Sequence, residues 1–252
     1  MYTIEQGIQL INANPEFFVI AAIITYGFGF SQYLASVWMQ IKNKTCPFYF
    51  WQHCWYFGHD IVFSLLFYQW FHIVKFWLFK VMCIACMVFV LIEIFSLYRA
   101  VKYERQEIWG KYHKGQEVTV KQALIRAISG YAIGALLFLT LRAVLNDPTC
   151  LFLMMTTNVT QAMMVHRRAD ENGKRQPGQM ALAWFTVYTT AFTFAPAGIG
   201  FFPSVIPALS DPLYFIFGGF CWIVSIRAVY LAFKQPKDEA LYAKSFKESW
   251  AE

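Results

Sequence analysis

Apolar stretches long enough to cross a bilayer core need about 20 residues each, and the chain offers seven of them. They run from Phe17 to Met39, Tyr49 to Trp70, Phe76 to Tyr98, Ala123 to Leu145, Thr149 to Val165, Met180 to Phe201 and Leu213 to Phe233. The fifth is the shortest and is interrupted by Asn158 and Gln161. It counts as a span because the basic residues require an odd number. Lys42, Lys44, Arg99, Lys102, Arg105, Lys111, Lys114, Lys121, Arg126, Arg167, Arg168, Lys174, Arg175, Lys234, Lys237, Lys244 and Lys247 fall on one side, and only Lys75 and Arg142 on the other. Short cytoplasmic loops collect Lys and Arg. The expectation is therefore an all-α polytopic membrane protein, a single domain over residues 1–252 with seven transmembrane helices, N-terminus outside and C-terminus cytoplasmic.

Composition agrees with that pattern. The 252 residues are 58% hydrophobic, 19% aromatic and 14% charged, well below the quarter charged that soluble domains carry. This excludes most soluble, disordered and nucleic-acid-binding classes. The net charge of +6 reads as an insertion signature and implies no nucleic-acid partner. The expected partners are membrane lipids and a lipophilic small molecule, in a bacterial inner membrane or the endoplasmic reticulum. Residues 1–15 lack the basic start of a cleavable signal, so the first helix is expected to stay. The segment from Arg99 to Gln122, which also holds Glu104, Glu107 and Glu117, reads as a solvated helix or hairpin near the headgroups.

Two of the fifteen acidic residues, Asp60 and Glu93, lie inside spans. A carboxylate at membrane depth is costly unless neutral, paired or wet, and by default marks a site. On the second span His53, Tyr56 and Asp60 recur at three and four residues and share a face, with His59 about 100° away on a neighbouring groove. His53 also reads as a loop hydrogen-bonder near the inner surface, and Asp60 as a structural partner of Arg227, the one deeply placed cation. Glu93 reads as a site residue or as a partner of Arg227 or an interfacial base. Thr157, Asn158 and Gln161 form a polar stripe on the fifth span. Trp184 and Tyr188 share a face of the sixth, whose outer end is broken by Pro196, Gly198 and Gly200.

The six cysteines imply no disulfide framework, and Cys83 with Cys86 reads as helix packing. The histidines, His53, His59, His72, His113 and His166, show neither an HxxxH pair nor an HExxH run. Neither a metal nor another cofactor is expected.

Three segments in order resemble the small seven-helix integral membrane terpene cyclases of fungal meroterpenoid and indole-diterpene pathways and their bacterial relatives. NKTCPFY (Asn43 to Tyr49) is similar to that family's short charged turn before its second helix. YFGHD (Tyr56 to Asp60) falls where the family carries Asn-x-x-Trp-Glu, and QAMMVHRRADENG (Gln161 to Gly173) resembles its Gln, then Arg, then a polar turn with Gly. Glu93, before SLYRAVKYE, corresponds to an acidic position late in the third helix. The sequence departs from the pattern in the last helix, where IRAVY (Ile226 to Tyr230) puts Arg227 near the family's second essential acid, and His59 stands where the family has Trp.

The resemblance implies a metal-free, proton-initiated, redox-neutral cyclisation or isomerisation of a lipophilic isoprenoid. Asp60 would donate the proton and Glu93 would tune it or receive the final one. Substrate-binding residues would be His53, Tyr56, His59, Asn158, Gln161, Trp184, Tyr188, Trp222 and Arg227, with aromatic faces stabilising carbocation charge. The rival readings are a small-molecule transporter with Asp60, Asn158 and Gln161 at its midplane, and a non-catalytic lipid-binding or assembly subunit.

Overall fold

The computed structural model describes residues 3–163 and 167–248. His166 and the end of the expected fifth span at Val165 lie outside them. The described chain is all-helical, without a strand.

A short helix, α1 (Ile4–Ala13), precedes the first apolar stretch. Thr3 and Gln6 form a reciprocal capping box at its start, and buried Ile11 anchors it to the main core. Asn14 ends α1 and caps α2 (Pro15–Asn43), where Pro15 sits in the first turn, the place its missing N–H is harmless. The second apolar stretch is α3 (Phe50–Leu65), which gives way to a π-helical turn at Gln69–Val74. There Trp70, fully buried, stacks between Phe63 and Phe79 at 4.6 and 4.8 Å.

Next come α4 (Trp77–Tyr103), α5 (Arg105–Trp109) and a 3₁₀ turn at Gly110–His113. The connection is helical and largely exposed, as expected, with Glu104, Trp109 and Val118 turned inward. The remaining elements are α6 (Val120–Val144), α7 (Leu151–Met163), α8 (Arg167–Asn172), α9 (Gln179–Thr193), α10 (Phe201–Val205), a 3₁₀ turn at Pro207–Ser210, α11 (Pro212–Lys234) and α12 (Glu239–Glu248). The Pro196-Gly198-Gly200 segment separates α9 from α10, so the sixth apolar stretch ends as a helix at Thr193.

Among the described residues four helices, α2, α4, α6 and α11, are long and apolar enough to cross a membrane. Each of the other three apolar stretches also contains a helix, and within the described residues α3, α7 and α9 have 16, 13 and 15 residues. The solvent side of the long helices is studded with Ile20, Leu34, Leu91, Leu136 and Ile223, all exposed, whereas Gln32, Gln40, Thr186 and Thr190 are buried between helices. An apolar exterior, with the polar side chains of the long helices turned inward among the core residues, is the arrangement of a membrane protein.

α3 packs on α4 and α6, α9 lies between α2 and α11, and α7 touches α3, α9 and α11. The closest approach is between α3 and α6. A Cβ on Gly134 would stand 2.1 Å from the Cys54 carbonyl oxygen, and one on Gly58 would stand 2.5 Å from the Gly134 carbonyl oxygen. Both neighbours are backbone and cannot swing aside. Gly134→Ala must therefore push the two helices apart, and we expect it to cost about 1–3 kcal/mol despite the better helix propensity of Ala. Thermal unfolding of the detergent-solubilised variant checks this; a Tm equal to or above the native one would contradict the packing.

Candidate functional site

The bundle holds a partly open cavity of about 70 Å³ walled by four helices. α2 contributes Tyr26, Phe30 and Tyr33; α3 contributes Tyr56, His59 and Asp60; α4 contributes Met82, Cys86 and Phe89; α7 contributes Met154, Asn158 and Gln161. Most of the wall is apolar or aromatic, with Asp60 its one carboxyl.

Asp60 and His59 occupy consecutive positions on α3, yet both reach the cavity. Their side chains turn toward each other, His59 Nδ1 to Asp60 Oδ1 at 2.8 Å, which corrects the expectation of separate grooves. His59 Nε2 is buried and has no protein partner among the described residues. Cys86 faces the same point, so that one donor atom from each of His59, Asp60 and Cys86 lies within 4.8 Å of the others. The Cys83-Cys86 pair is thus divided: Cys83 packs in the core, with its thiol 3.9 Å from the Ser64 carbonyl oxygen, while Cys86 borders the site. The His59–Asp60 hydrogen bond brings two of the three together, and Cys86 on α4 completes the group.

Behind the Tyr33 side of the cavity lies a second carboxyl. Glu93, on α4, is 0% exposed and is not on the cavity wall. Tyr33 on α2 donates to its Oε1. Its Oε2 meets His53 Nδ1 of α3 at 2.8 Å and accepts from Tyr131 of α6 at 3.0 Å. Four helices therefore converge on one carboxyl. The other ring nitrogen of His53 lies 2.7 Å from Cys46 Sγ in the α2–α3 loop, so His53 does bond a loop, as one of its two readings held, but it stands away from the cavity.

That loop is itself fastened at the basic end of the bundle. Arg167 pairs with buried Glu104, holds Glu107 at 2.8 Å and donates to the Cys46 carbonyl oxygen at 3.3–3.4 Å. Burial by itself disfavours the charged guanidinium, but the Glu104 and Glu107 carboxylates outweigh it and hold Arg167 above its ordinary pKa.

The other expected site residues divide. Tyr56, Asn158 and Gln161 line the cavity, Asn158 fixed by donating to Thr193 Oγ1 at 2.8 Å. Trp184, Tyr188 and Trp222 do not: they are 41%, 43% and 43% exposed on the outer faces of α9 and α11. Trp184 and Tyr188 do share a face, as expected, but they stack on each other at 6.0 Å and Tyr188 on Phe28 at 4.9 Å. Arg227 is also corrected. Its side chain is 61% exposed and faces Asp170 at 3.6 Å, pairing with neither Asp60 nor Glu93. Several residues at the site went unnoticed in the sequence, among them Tyr33, Cys46, Cys86 and Tyr131. Only Cys86 carried a signal, since it lies on the fourth helix one turn from Cys83 and two turns before Glu93.

No family model, curated protein or solved structure matches the chain.

Removing the Glu93 side chain strands two buried donors at once, Tyr33 and His53, while Tyr131 keeps the Glu93 main-chain carbonyl oxygen at 2.9 Å. Glu93→Leu should cost about 3–5 kcal/mol, the usual penalty for breaking a buried polar cluster from one side, and Glu93→Gln, which keeps the acceptor oxygen, distinctly less. Denaturation of both variants in detergent tests this; equal stability of Glu93→Leu and native protein would contradict the cluster.

Proposed function

We propose that the chain is a membrane-embedded terpene cyclase or isomerase that rearranges a lipophilic isoprenoid by a proton-initiated, redox-neutral reaction. In this reading the seven apolar helices all cross the bilayer, with the N-terminus outside and the basic end of the bundle in the cytoplasm. The observation that carries it is a pair of carboxyls of unequal access around one largely apolar cavity: Asp60 on the wall, Glu93 one tyrosine behind it.

Such a reaction takes up one proton and releases one. A carboxyl shielded from water favours its neutral, proton-bearing form, which suits Asp60 as the donor to an alkene or epoxide. His59 orients Asp60 through Nδ1, and its unpartnered Nε2 offers a contact for a substrate oxygen. Carbocation charge developing along the chain would meet the rings of Phe30, Tyr33, Tyr56 and Phe89, each worth roughly 1–2 kcal/mol when desolvated. These replace the outward-facing Trp184, Tyr188 and Trp222. Ligand pockets generally enclose about 300–1,000 Å³, so substrate entry requires the walls to part. Met82 and Met154, flexible thioether side chains on opposite helices, are suited to yield.

The test is chromatography with mass spectrometry on membranes containing the protein, supplied with polyprenyl epoxides, prenylated aromatics and simpler terpenoids. A substrate-dependent product of unchanged mass and new retention is expected. Asp60→Asn, which keeps size and the hydrogen bond to His59, should lower turnover by about 10²–10⁴-fold, the usual contribution of a general acid, with folded yield intact. Substrates returned untouched, with uptake into sealed vesicles instead, would replace this reading by a transporter.

A further inference from the structure

Glu93 cannot itself meet a substrate, because it is wholly buried and lies off the cavity wall. The one group that touches both is Tyr33: its side chain lines the cavity and its hydroxyl is hydrogen-bonded to Glu93 Oε1. Its ring is pinned between Phe89 at 4.8 Å and Tyr56 at 6.2 Å, so the phenol is held at one place on the wall. On the far side of Glu93 the polar contacts continue, through His53 at 2.8 Å to Cys46 at 2.7 Å. They end in the loop that Arg167 fastens at the basic end of the bundle.

From this continuity we infer that Tyr33 is the catalytic residue that takes the last proton from the cyclised carbocation, and that Glu93, His53 and Cys46 carry that proton away from the cavity. The inference rests on the cyclase reading. In the terminating step a C–H bond next to the cationic carbon breaks, and its electron pair becomes the new C=C bond. The proton goes to Tyr33 Oη while the phenol's own proton moves along the existing hydrogen bond to the Glu93 carboxylate, so the phenol is neutral before and after. Glu93 then returns to the carboxylate by passing the proton to the bare ring nitrogen of His53, which a turn of the ring brings from Cys46 to Glu93, and the imidazolium, turned back, gives that proton up past Cys46 to water at the loop. Donor and acceptor are consequently separate: Asp60 with His59 starts the reaction at one part of the wall, and Tyr33 ends it at another. The position of Tyr33 along the cavity, fixed by its two ring neighbours, would then select which hydrogen is lost and so which alkene isomer leaves.

The test is to incubate purified native protein, Tyr33→Phe and Glu93→Gln with the substrate found active in the panel, and to identify products by mass spectrometry and NMR. Tyr33→Phe should still consume substrate in an Asp60-dependent way. Its products should shift to a different alkene isomer or to an alcohol heavier by one water, the cation now losing a proton elsewhere or being captured by water. Glu93→Gln, which keeps the acceptor for Tyr33 but offers no base, should show the same shift and decides the matter if Tyr33→Phe fails to fold. Cys46→Ala should lower kcat without altering the product, and Cys46→Ser, which restores a hydrogen-bonding group, should recover it. The native product at the native rate from folded Tyr33→Phe or Glu93→Gln would overturn the inference while leaving the cyclase reading standing; a native protein inert toward the whole panel would overturn both.

Discussion

A buried carboxyl organises this protein. Placing Glu93 in the interior of an apolar bundle is unfavourable by several kcal/mol unless every lone pair finds a donor or the group is neutral. The chain meets that requirement from three directions, with Tyr33 of α2, His53 of α3 and Tyr131 of α6 all aimed at the one side chain of α4. A lipid-facing surface gives helices little preference for one rotation over another, since Leu, Ile and Phe are equally at home in hydrocarbon. The Glu93 cluster supplies that preference, because turning any of the four helices strands a polar group. The Gly58–Gly134 contact between α3 and α6 serves the same end sterically, bringing the backbones near enough for Tyr131 to reach across.

The cavity follows from this registration. With Tyr33 and His53 fixed on Glu93, the stripe of α3 that carries Tyr56 and Asp60 is turned toward α2 and α7, and His59 is drawn beside Asp60 by their mutual hydrogen bond. The wall becomes an aromatic and thioether surface broken by a few polar groups, the composition of a small-molecule site. At the basic end, Arg167 and Glu104 fasten the α2–α3 loop and with it Cys46, so the polar contacts that start at the cavity end in a fixed structure.

Hydropathy made the helical class and the positions of the seven apolar stretches legible, since each contains a helix. Spacing made part of the site legible too: His53, Tyr56 and Asp60 do share a side of α3, and Asn158 with Gln161 does face inward on α7. What escaped were contacts between helices distant in sequence. Nothing near Tyr33 or Tyr131 distinguishes them from the many other aromatics, and only the crossing of α2, α4 and α6 gives them a common partner. Arg227 misled for a related reason. Near the end of an apolar helix it looked deeply placed, but its long side chain reaches outward to Asp170. Likewise Trp184 and Tyr188 follow a helical repeat that fits an inward or an outward stripe equally well, and the packing of α9 against α2 and α11 leaves them on the outside.

A structure of the protein with an unreactive nitrogen analogue of a prenyl carbocation bound tests the cavity as the reaction site. The ligand is expected between α2, α3, α4 and α7, its polar head within hydrogen-bond reach of Asp60 or His59, its cationic nitrogen against the rings of Tyr33 and Tyr56, and Met82 and Met154 displaced from their present positions. A ligand seated instead on the outer face at Trp184 and Tyr188, with the cavity unchanged, would contradict it.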